Sequence, residues 1–388
     1  MIDQPSQAPV LVAAGGTGGH LFPAEALMAA LRQRRIAVEL ATDRRAVGYS
    51  GGRVADAVHV ITSATLRGRS PLALARTAAM LGLGLIEAWA LLRRTKPAAV
   101  VGFGGYPTVP PVLAAVWRGV PSLIHDANAV IGRANRLLAP RVTAIATTFP
   151  DMFRAEPDLA VKATLTGNPV RPVVVAAAAT PYPASPEPWR LLVFGGSQGA
   201  GVMADVVPAA IALLDAGLRR RLAVVQQARA EDLQRVRGAY AELAVAAEIA
   251  PFFPDLPARM AASHLAVSRA GASTVAELAA IGRPAILVPL PHALDQDQFA
   301  NAGMLEEAGG AIRLVQSDFS PRRLADEIIA LAAAPARLAA MAAAARAVGR
   351  LDAADRLADL VLKVAARPQT PKYSSPALAR RKGIRNSA

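Results

Sequence analysis

The chain has 388 residues, enough for two domains with sizeable cores. Hydrophobic types make up 53 % and aromatics 4 %, an aliphatic, alanine-rich composition that excludes a disordered chain. The absence of cysteine excludes disulfides, thiol nucleophiles and thiolate metal sites.

The formal net charge is +14, and its distribution is uneven. From residue 367 onward Arg367, Lys372, Arg380, Arg381, Lys382 and Arg385 occur without an acid, so 367–388 reads as a solvated, disordered basic tail, with nucleic-acid or anionic-lipid contact as the sharper alternative. No targeting segment is expected at the start. Met1–Pro9 carries an acid, no base and two prolines, and the apolar run after it is short.

In chain order, Val10–Ala14 predicts a strand that stops at Gly15-Gly16, and Leu21–Arg34 has helical spacing. Val38–Thr42 predicts the next strand. Pro71–Leu92 is the only membrane-like stretch. Arg76 and Glu87 interrupt it, and its longest uncharged run, Thr77–Ile86, is half of the ~20 residues a span needs. It reads as a helix lying against something. Ala98–Val101, Ser122–His125 and Thr143–Thr147 continue the strand series, which ends near Gly167-Asn168-Pro169. Thr180–Trp189, with prolines at 181, 183, 186 and 188, reads as an interdomain connection. A second series follows: Leu191–Phe194, Ala223–Gln227, Leu265–Ser268 and Ala285–Pro289. Short aliphatic strands alternating with helices mean parallel sheets covered on both faces, in two tandem α/β units. Boundaries are placed at 1–170, 171–350, 351–366 and 367–388. In the 351–366 segment, Leu351, Ala354, Leu357, Val361 and Val364 form one stripe. We place it back on the N-terminal domain, although the pattern alone does not choose between the two.

Glycine clusters stand where three strands end: Gly15-Gly16-Thr17-Gly18-Gly19-His20, Gly102-Phe103-Gly104-Gly105-Tyr106, and Gly195-Gly196-Ser197-Gln198-Gly199-Ala200. Such loops turn sharply, expose main-chain N–H groups and lead into the positive end of a helix, an arrangement suited to phosphate. The first loop fails the dinucleotide fingerprint because Leu21 stands where a small residue is needed. Gly196…Gly201 is followed by Val202, so there is no P-loop lysine. A nucleotide diphosphate held by neither motif is left. Ser197 and the N–H groups of 196–200 are its candidate ligands, and Arg171 can add a full charge.

These stretches, with Ile124–Asn128, Gly167–Arg171, Ser268–Glu277 and Pro291–Asn301, resemble in order and sequence the MurG transferases of glycosyltransferase family 28. The resemblance covers about three quarters of the chain. It implies the GT-B fold, two Rossmann-like domains around a cleft, and inverting transfer of GlcNAc from UDP-GlcNAc to the MurNAc 4-hydroxyl of lipid I, giving lipid II at the cytoplasmic face of the bacterial inner membrane. It further implies a peripheral enzyme that needs no cofactor, contacts an anionic membrane surface and other cell-wall synthesis proteins, and takes no nucleic acid.

Residue by residue, the resemblance carries donor binding to Thr17, Gly18, Gly19, Asn128, Arg171, Ser197, Phe253, Gln298 and the run Ala272, Ser273, Thr274, Val275, Ala276 and Glu277. Glu277 would accept the ribose hydroxyls, and the Phe253 backbone would meet uracil. Two candidates for the general base stay open. His20 closes the first glycine loop and titrates near working pH. Asp126 lies in His125-Asp126-Ala127-Asn128, where the family pattern is His-Glu-Gln-Asn, and the lost methylene shortens its reach by roughly 1.5 Å. Tyr106 is expected on the acceptor side. Asp295-Gln296-Asp297 imitates a metal-binding D-x-D, but it reads as a helix start, and the resemblance implies a metal-independent reaction. Leu72, Leu74, Met80, Leu83, Ile86 and Trp89, with Arg67, Arg69, Arg76, Arg93, Arg94 and Lys96 around them, would form the membrane-facing patch.

Overall fold

A computed structural model of the chain describes residues 8–44, 54–63, 70–184, 187–196, 199–291 and 296–366. Ser197, His292, Asp295, Arg67, Arg69 and the basic tail lie outside the described residues, as does the side chain of Leu72.

The first half runs β1 (Val10–Ala13), α1 (Gly18–Gln33), β2 (Val38–Thr42), β3 (Ala57–Val60), α2 (Pro71–Thr95), β4 (Ala99–Gly102), α3 (Val109–Arg118), β5 (Ser122–Asp126), α4 (Arg133–Leu138), β6 (Ala144–Thr147), α5 (Pro157–Ala160) and β7 (Ala163–Leu165). Its strands form one parallel sheet in the order β3-β2-β1-β4-β5-β6-β7. The second half runs α6 (Pro172–Ala177), β8 (Trp189–Phe194), α7 (Gly201–Ala212), α8 (Ala216–Arg221), β9 (Leu222–Gln227), α9 (Leu233–Glu242), β10 (Ala246–Ala250), α10 (Leu256–Ala262), β11 (Leu265–Ser268), α11 (Ala272–Ile281), β12 (Ala285–Leu287), α12 (Asp297–Glu307), β13 (Ala311–Arg313), α13 (Pro321–Ala332), α14 (Pro335–Val348) and α15 (Ala353–Ala365). Its sheet is parallel in the order β10-β9-β8-β11-β12-β13.

Parallel strands need helices on both faces, and the residues alternate accordingly. Leu11 and Ala13 point into a layer with α2 and α3, while Val10 and Val12 point into a layer with α1 and α15. In the second sheet, Leu191 and Val193 face α7, α13 and α14, and Leu192 and Phe194 face α6, α10 and α11. α15 therefore completes the first sheet's cover. Leu357, Ala358, Val361 and Val364 are buried there, and Arg34 at the end of α1 pairs with Asp359 at 2.6 Å and Asp355 at 3.1 Å.

The chain crosses between the halves at 167–171 and returns at 349–353. Gly167, at φ +83°, lies close enough that a Cβ there would be 3.1 Å from the Arg350 Cβ. The proline-rich 180–189 run is not the crossing. Its Thr180 and Pro181 carbonyls accept from the buried Arg283 guanidinium at 3.0 Å each, and the Tyr182 hydroxyl donates to the His264 carbonyl at 3.0 Å. Trp189 already belongs to β8 and is buried in the second core. Prolines bar regular structure, but they do not bar packing against one domain.

α2 starts at an N-cap, where Ser70 Oγ accepts from the Ala73 N–H at 3.2 Å, and ends at Lys96 in a left-handed conformation. It is long and apolar enough to cross a membrane by length and composition. One side, however, is packed on the first domain. Ala88, Leu91 and Leu92 are buried, Glu87 accepts from the Thr62 N–H at 2.6 Å, and a side chain at Gly84 would strike the Thr62 carbonyl. The helix lies against the domain with its other side free.

Candidate active site

In doubly wound sheets, ligands gather beyond the carboxyl ends of the strands, where the strand order reverses. The reversal in the first sheet falls between β1 and β4, and in the second between β8 and β11. The first and second glycine loops follow β1 and β4, the third follows β8, and Arg269–Gly271 follows β11 into α11. The two switch points thus face one another across one cleft.

His20 occupies the first turn of α1. Its ring lies across the second loop: a Cβ on Gly104 would sit 3.3 Å from its Nδ1 and Cε1, and one on Gly105 3.3 Å from its Cδ2. Those glycines are at φ +86° and +74°, so the close approach and the backbone conformation both call for glycine. Burial pushes the imidazole below its ordinary pKa, and a hydrogen bond to the Phe103 backbone partly opposes this. The ring is therefore neutral near pH 7, with one nitrogen donating to a carbonyl and the other left as an acceptor.

Asp126 ends β5 and is buried. Its Oδ1 accepts from the Asn128 N–H at 3.1 Å, and its Oδ2 accepts from the Gly132 N–H at 2.9 Å and Asn135 Nδ2 at 3.0 Å. Burial pushes this carboxyl up and the three donors pull it down. Both oxygens are engaged in holding loop 127–132. His125, also buried, donates from Nε2 to the Gly167 carbonyl at 3.1 Å and packs on Phe103; burial drives its pKa down to about 4. It is a neutral structural imidazole at the domain crossing.

Across the cleft, Arg171 caps α6 and donates to Glu277 Oε1 at 3.1 Å. Its guanidinium stacks 3.9 Å from the ring centre of Phe22, on α1 of the other domain. Glu277 is buried on α11, and burial raises its pKa against the pull of Arg171. Ala272, Ser273 and Thr274 form the half-buried first turn of α11 and Val275 is buried behind them; Ser273 Oγ donates to the Gly19 carbonyl at 3.4 Å, so this turn touches the Thr17–Gly19 loop. Gly196 and Gly199 turn the third loop at φ +82° and +66°. Gln227 ties that loop to the segment before Phe253: its Oε1 accepts from the Gly195 N–H at 3.0 Å and its Nε2 donates to the Pro251 carbonyl at 3.1 Å. The Phe253 side chain is buried under Arg259, 4.4 Å from the ring centre. Gln298, on α12, spends its Oε1 on the Leu290 N–H at 3.0 Å. Tyr106 opens a short turn after the second loop and is half-buried. Ala276 lies one residue before Glu277 and is partly exposed.

Three residues at this cleft escaped the sequence reading. Nothing in the local sequence marks Phe22 or Arg229, although the Arg229 chain packs on Gly199 and its guanidinium lies 3.9 Å from a Cβ built on Gly201 at the start of α7. Asn301 was visible only as the end of a motif. It is fully buried, and it bonds both Ala129 and Asn128 of the opposite domain.

The family descriptions "Glycosyltransferase family 28 N-terminal domain" and "Glycosyltransferase family 28 C-terminal domain" match residues 10–147 and 190–357. A UDP-N-acetylglucosamine–N-acetylmuramyl-(pentapeptide) pyrophosphoryl-undecaprenol N-acetylglucosamine transferase from Rhodopseudomonas palustris (strain HaA2) is 64% identical over 363 residues, covering 93% of this chain and 99% of the relative. The transferase of the same name from Nitrobacter hamburgensis is 63% identical over 358 residues, covering 92% and 97%. The crystal structure of Acinetobacter baumannii MurG superposes with a TM-score of 0.72 at 28% identity, over 92% of this chain and 100% of that one. The calicheamicin glycosyltransferase CalG4, at 18% identity and a TM-score of 0.60, shares the fold. With two sheets whose switch points face across a cleft and relatives this similar over nearly its full length, the chain belongs to glycosyltransferase family 28, among the MurG-type N-acetylglucosamine transferases.

Proposed function

We propose that the chain transfers N-acetylglucosamine from UDP-GlcNAc to the 4-hydroxyl of the MurNAc residue of lipid I, forming lipid II for peptidoglycan synthesis. The observation that carries this reading is the opposition, across one cleft, of the His20 ring laid against the second glycine loop and the Arg171–Glu277 pair that joins α6 to α11. It assigns acceptor chemistry to the first domain and nucleotide binding to the second.

The acceptor hydroxyl attacks the anomeric carbon on the face opposite the diphosphate. As the new C–O bond forms, His20 takes the hydroxyl proton and the bond to the UDP oxygen breaks, which inverts the anomeric centre. UDP leaves with the electron pair. The main-chain N–H groups of the third loop and the charges of Arg171 and Arg229 stabilise it. Glu277 gives Oε1 to Arg171 and has Oε2 for the ribose hydroxyls. Asn128 and Gln298 meet the sugar, the former through its free amide N–H₂ and the latter through its Nε2. Asp126, with its oxygens committed to its own loop, positions Asn128, and His20 is the base.

The acceptor carries a polyprenyl chain, so the enzyme works at a membrane surface, as a peripheral protein of the cytoplasmic face of the inner membrane. The free side of α2 supports this reading. Leu74, Leu83, Ile86 and Trp89 are exposed there, Ile86 to 69 %, and Arg76, Arg93, Arg94 and Lys96 lie on the same helix or at its end. Product analysis after incubation with labelled UDP-GlcNAc and a lipid I analogue tests the activity. A β-linked GlcNAc–MurNAc product is expected. Donor hydrolysis alone, or preference for UDP-galactose, would overturn the reading.

A further inference from the structure

We propose that Asn301 is a positioning residue that fixes which edge of the Asn128 amide is offered to the donor sugar; this rests on the sugar contact given to Asn128 above. Asn301 lies on α12, fully buried at the junction of the two domains. Its Oδ1 accepts from the Ala129 N–H at 2.8 Å, and its Nδ2 donates to Asn128 Oδ1 at 3.1 Å and to the Ala270 carbonyl at 3.3 Å.

The orientation of these amides follows from the chemistry of the fixed partners. A backbone N–H can only donate, so the atom of Asn301 facing Ala129 must be oxygen. A backbone carbonyl can only accept, so the atom facing Ala270 must be nitrogen. The nitrogen of Asn301 therefore also faces Asn128, whose nearest amide atom must be oxygen. That leaves the N–H₂ of Asn128, with no acceptor among the described residues, as the edge presented to the half-open cleft. An amide N–H₂ donates, so it suits a sugar hydroxyl oxygen or the acetamido carbonyl. Asp126 holds the Asn128 main chain from within the first domain, and Asn301 sets its side chain from the second. The contact forms only when the domains are juxtaposed, so the donor-sugar site is completed by both.

Without the donor on Asn301, the Asn128 amide turns freely and offers its oxygen as readily as its nitrogen. Steady-state kinetics with varied UDP-GlcNAc and a fixed lipid I analogue would be measured for the full chain and for N128A, N301A, N301D and N128A/N301A. N301D is nearly isosteric. It keeps an acceptor for Ala129 but turns a second oxygen toward Asn128, so it decides the matter if N301A does not fold. N301A and N301D are expected to lower donor kcat/KM about tenfold, the scale of one oriented hydrogen bond, with the acceptor KM unchanged. In the N128A background, N301A should cost no further activity, within about twofold, because the group it acts through is gone. Additive losses in the double variant, or wild-type donor kcat/KM in N301D, would overturn the proposal and leave the donor reading of Asn128 intact. Wild-type donor kcat/KM in N128A would instead overturn that reading, and the proposal with it.

Discussion

Asp126→Asn separates a positioning carboxylate from a catalytic one. The native carboxylate accepts three N–H donors: Asn128 N at 3.1 Å, Gly132 N at 2.9 Å and Asn135 Nδ2 at 3.0 Å. Asparagine has one oxygen and one N–H₂. With its oxygen at the Oδ2 position it can serve Gly132 and Asn135, but its N–H₂ then meets the Asn128 N–H donor to donor. Turned the other way, it leaves two donors facing a nitrogen. Leaving one buried donor unmet costs about 1–3 kcal/mol, and exchanging two charge-assisted bonds for neutral ones costs about 1 kcal/mol more each. Burial already disfavours the charged carboxylate, so removing the charge returns part of that. A net loss of roughly 2–3 kcal/mol is expected in urea unfolding. With loop 127–132 loosened, donor kcat/KM should fall about tenfold, while the acid limb of the pH–rate profile stays where it is. If Asp126 were the base, the lost stability would come with a 10²–10⁴-fold drop in kcat and loss of the acid limb. Those kinetic changes would refute the reading of Asp126 as a positioning residue, and unchanged unfolding would refute the stability estimate.

His20→Ala should lower kcat by ~10²–10⁴ with a modest change in donor KM. Because desolvation lowers the His20 pKa, the wild-type acid limb should fall below the ordinary imidazole value of about 6.5; a limb above it would contradict the neutral ring. His125 titrates near 6.5 unfolded and at about 4 folded, so between those values the unfolded chain binds the extra proton. Its contribution is present above pH 6.5 and lost as pH falls toward 4, roughly 3 kcal/mol in all, and unfolding of His125→Asn should lack that slope. Ile86→Glu with Trp89→Glu should weaken sedimentation with anionic vesicles and spare turnover of a short-chain soluble acceptor; unchanged vesicle binding would place the membrane contact elsewhere.

The central strands were legible because both their faces are buried. β1, β4, β11 and β12 are short, largely aliphatic runs ended by glycine, proline or a cap, and β5 and β8 carry apolar centres, Leu123-Ile124 and Leu191–Phe194. The strands that pattern alone did not reveal, β3, β7, β10 and β13, are the four sheet edges. An edge strand is half solvated and carries no continuous apolar run: β10 reads AAEIA with its first three residues exposed, and β3 alternates half-buried Ala57 and His59 with exposed Val58 and Val60. The 180–189 segment was misplaced for a related reason. Proline density reports that a backbone cannot join a helix or ladder, and nothing about the buried guanidinium of Arg283 that fastens this one to the second domain.

The site divides along a similar line. Glycine loops are punctuation, and their place after strands is written in the local sequence. The pairs that give the loops their chemistry are not: Arg171 and Glu277 stand 106 residues apart, and Asn128 and Asn301 stand 173 apart. No periodicity links such positions, because they meet only through the facing of two separately folded sheets. The described polar and cation–π contacts across the cleft are few: Ser273 to Gly19, Asn301 to Asn128 and Ala129, and Arg171 over Phe22. Each is worth on the order of 1 kcal/mol net, little beside the burial holding each core together. A nucleotide sugar that engages Arg171 from one domain and Asn128 from the other therefore has enough binding energy to decide the juxtaposition of the two halves. Variants at Asn301 should consequently be felt by the donor before they are felt by the fold.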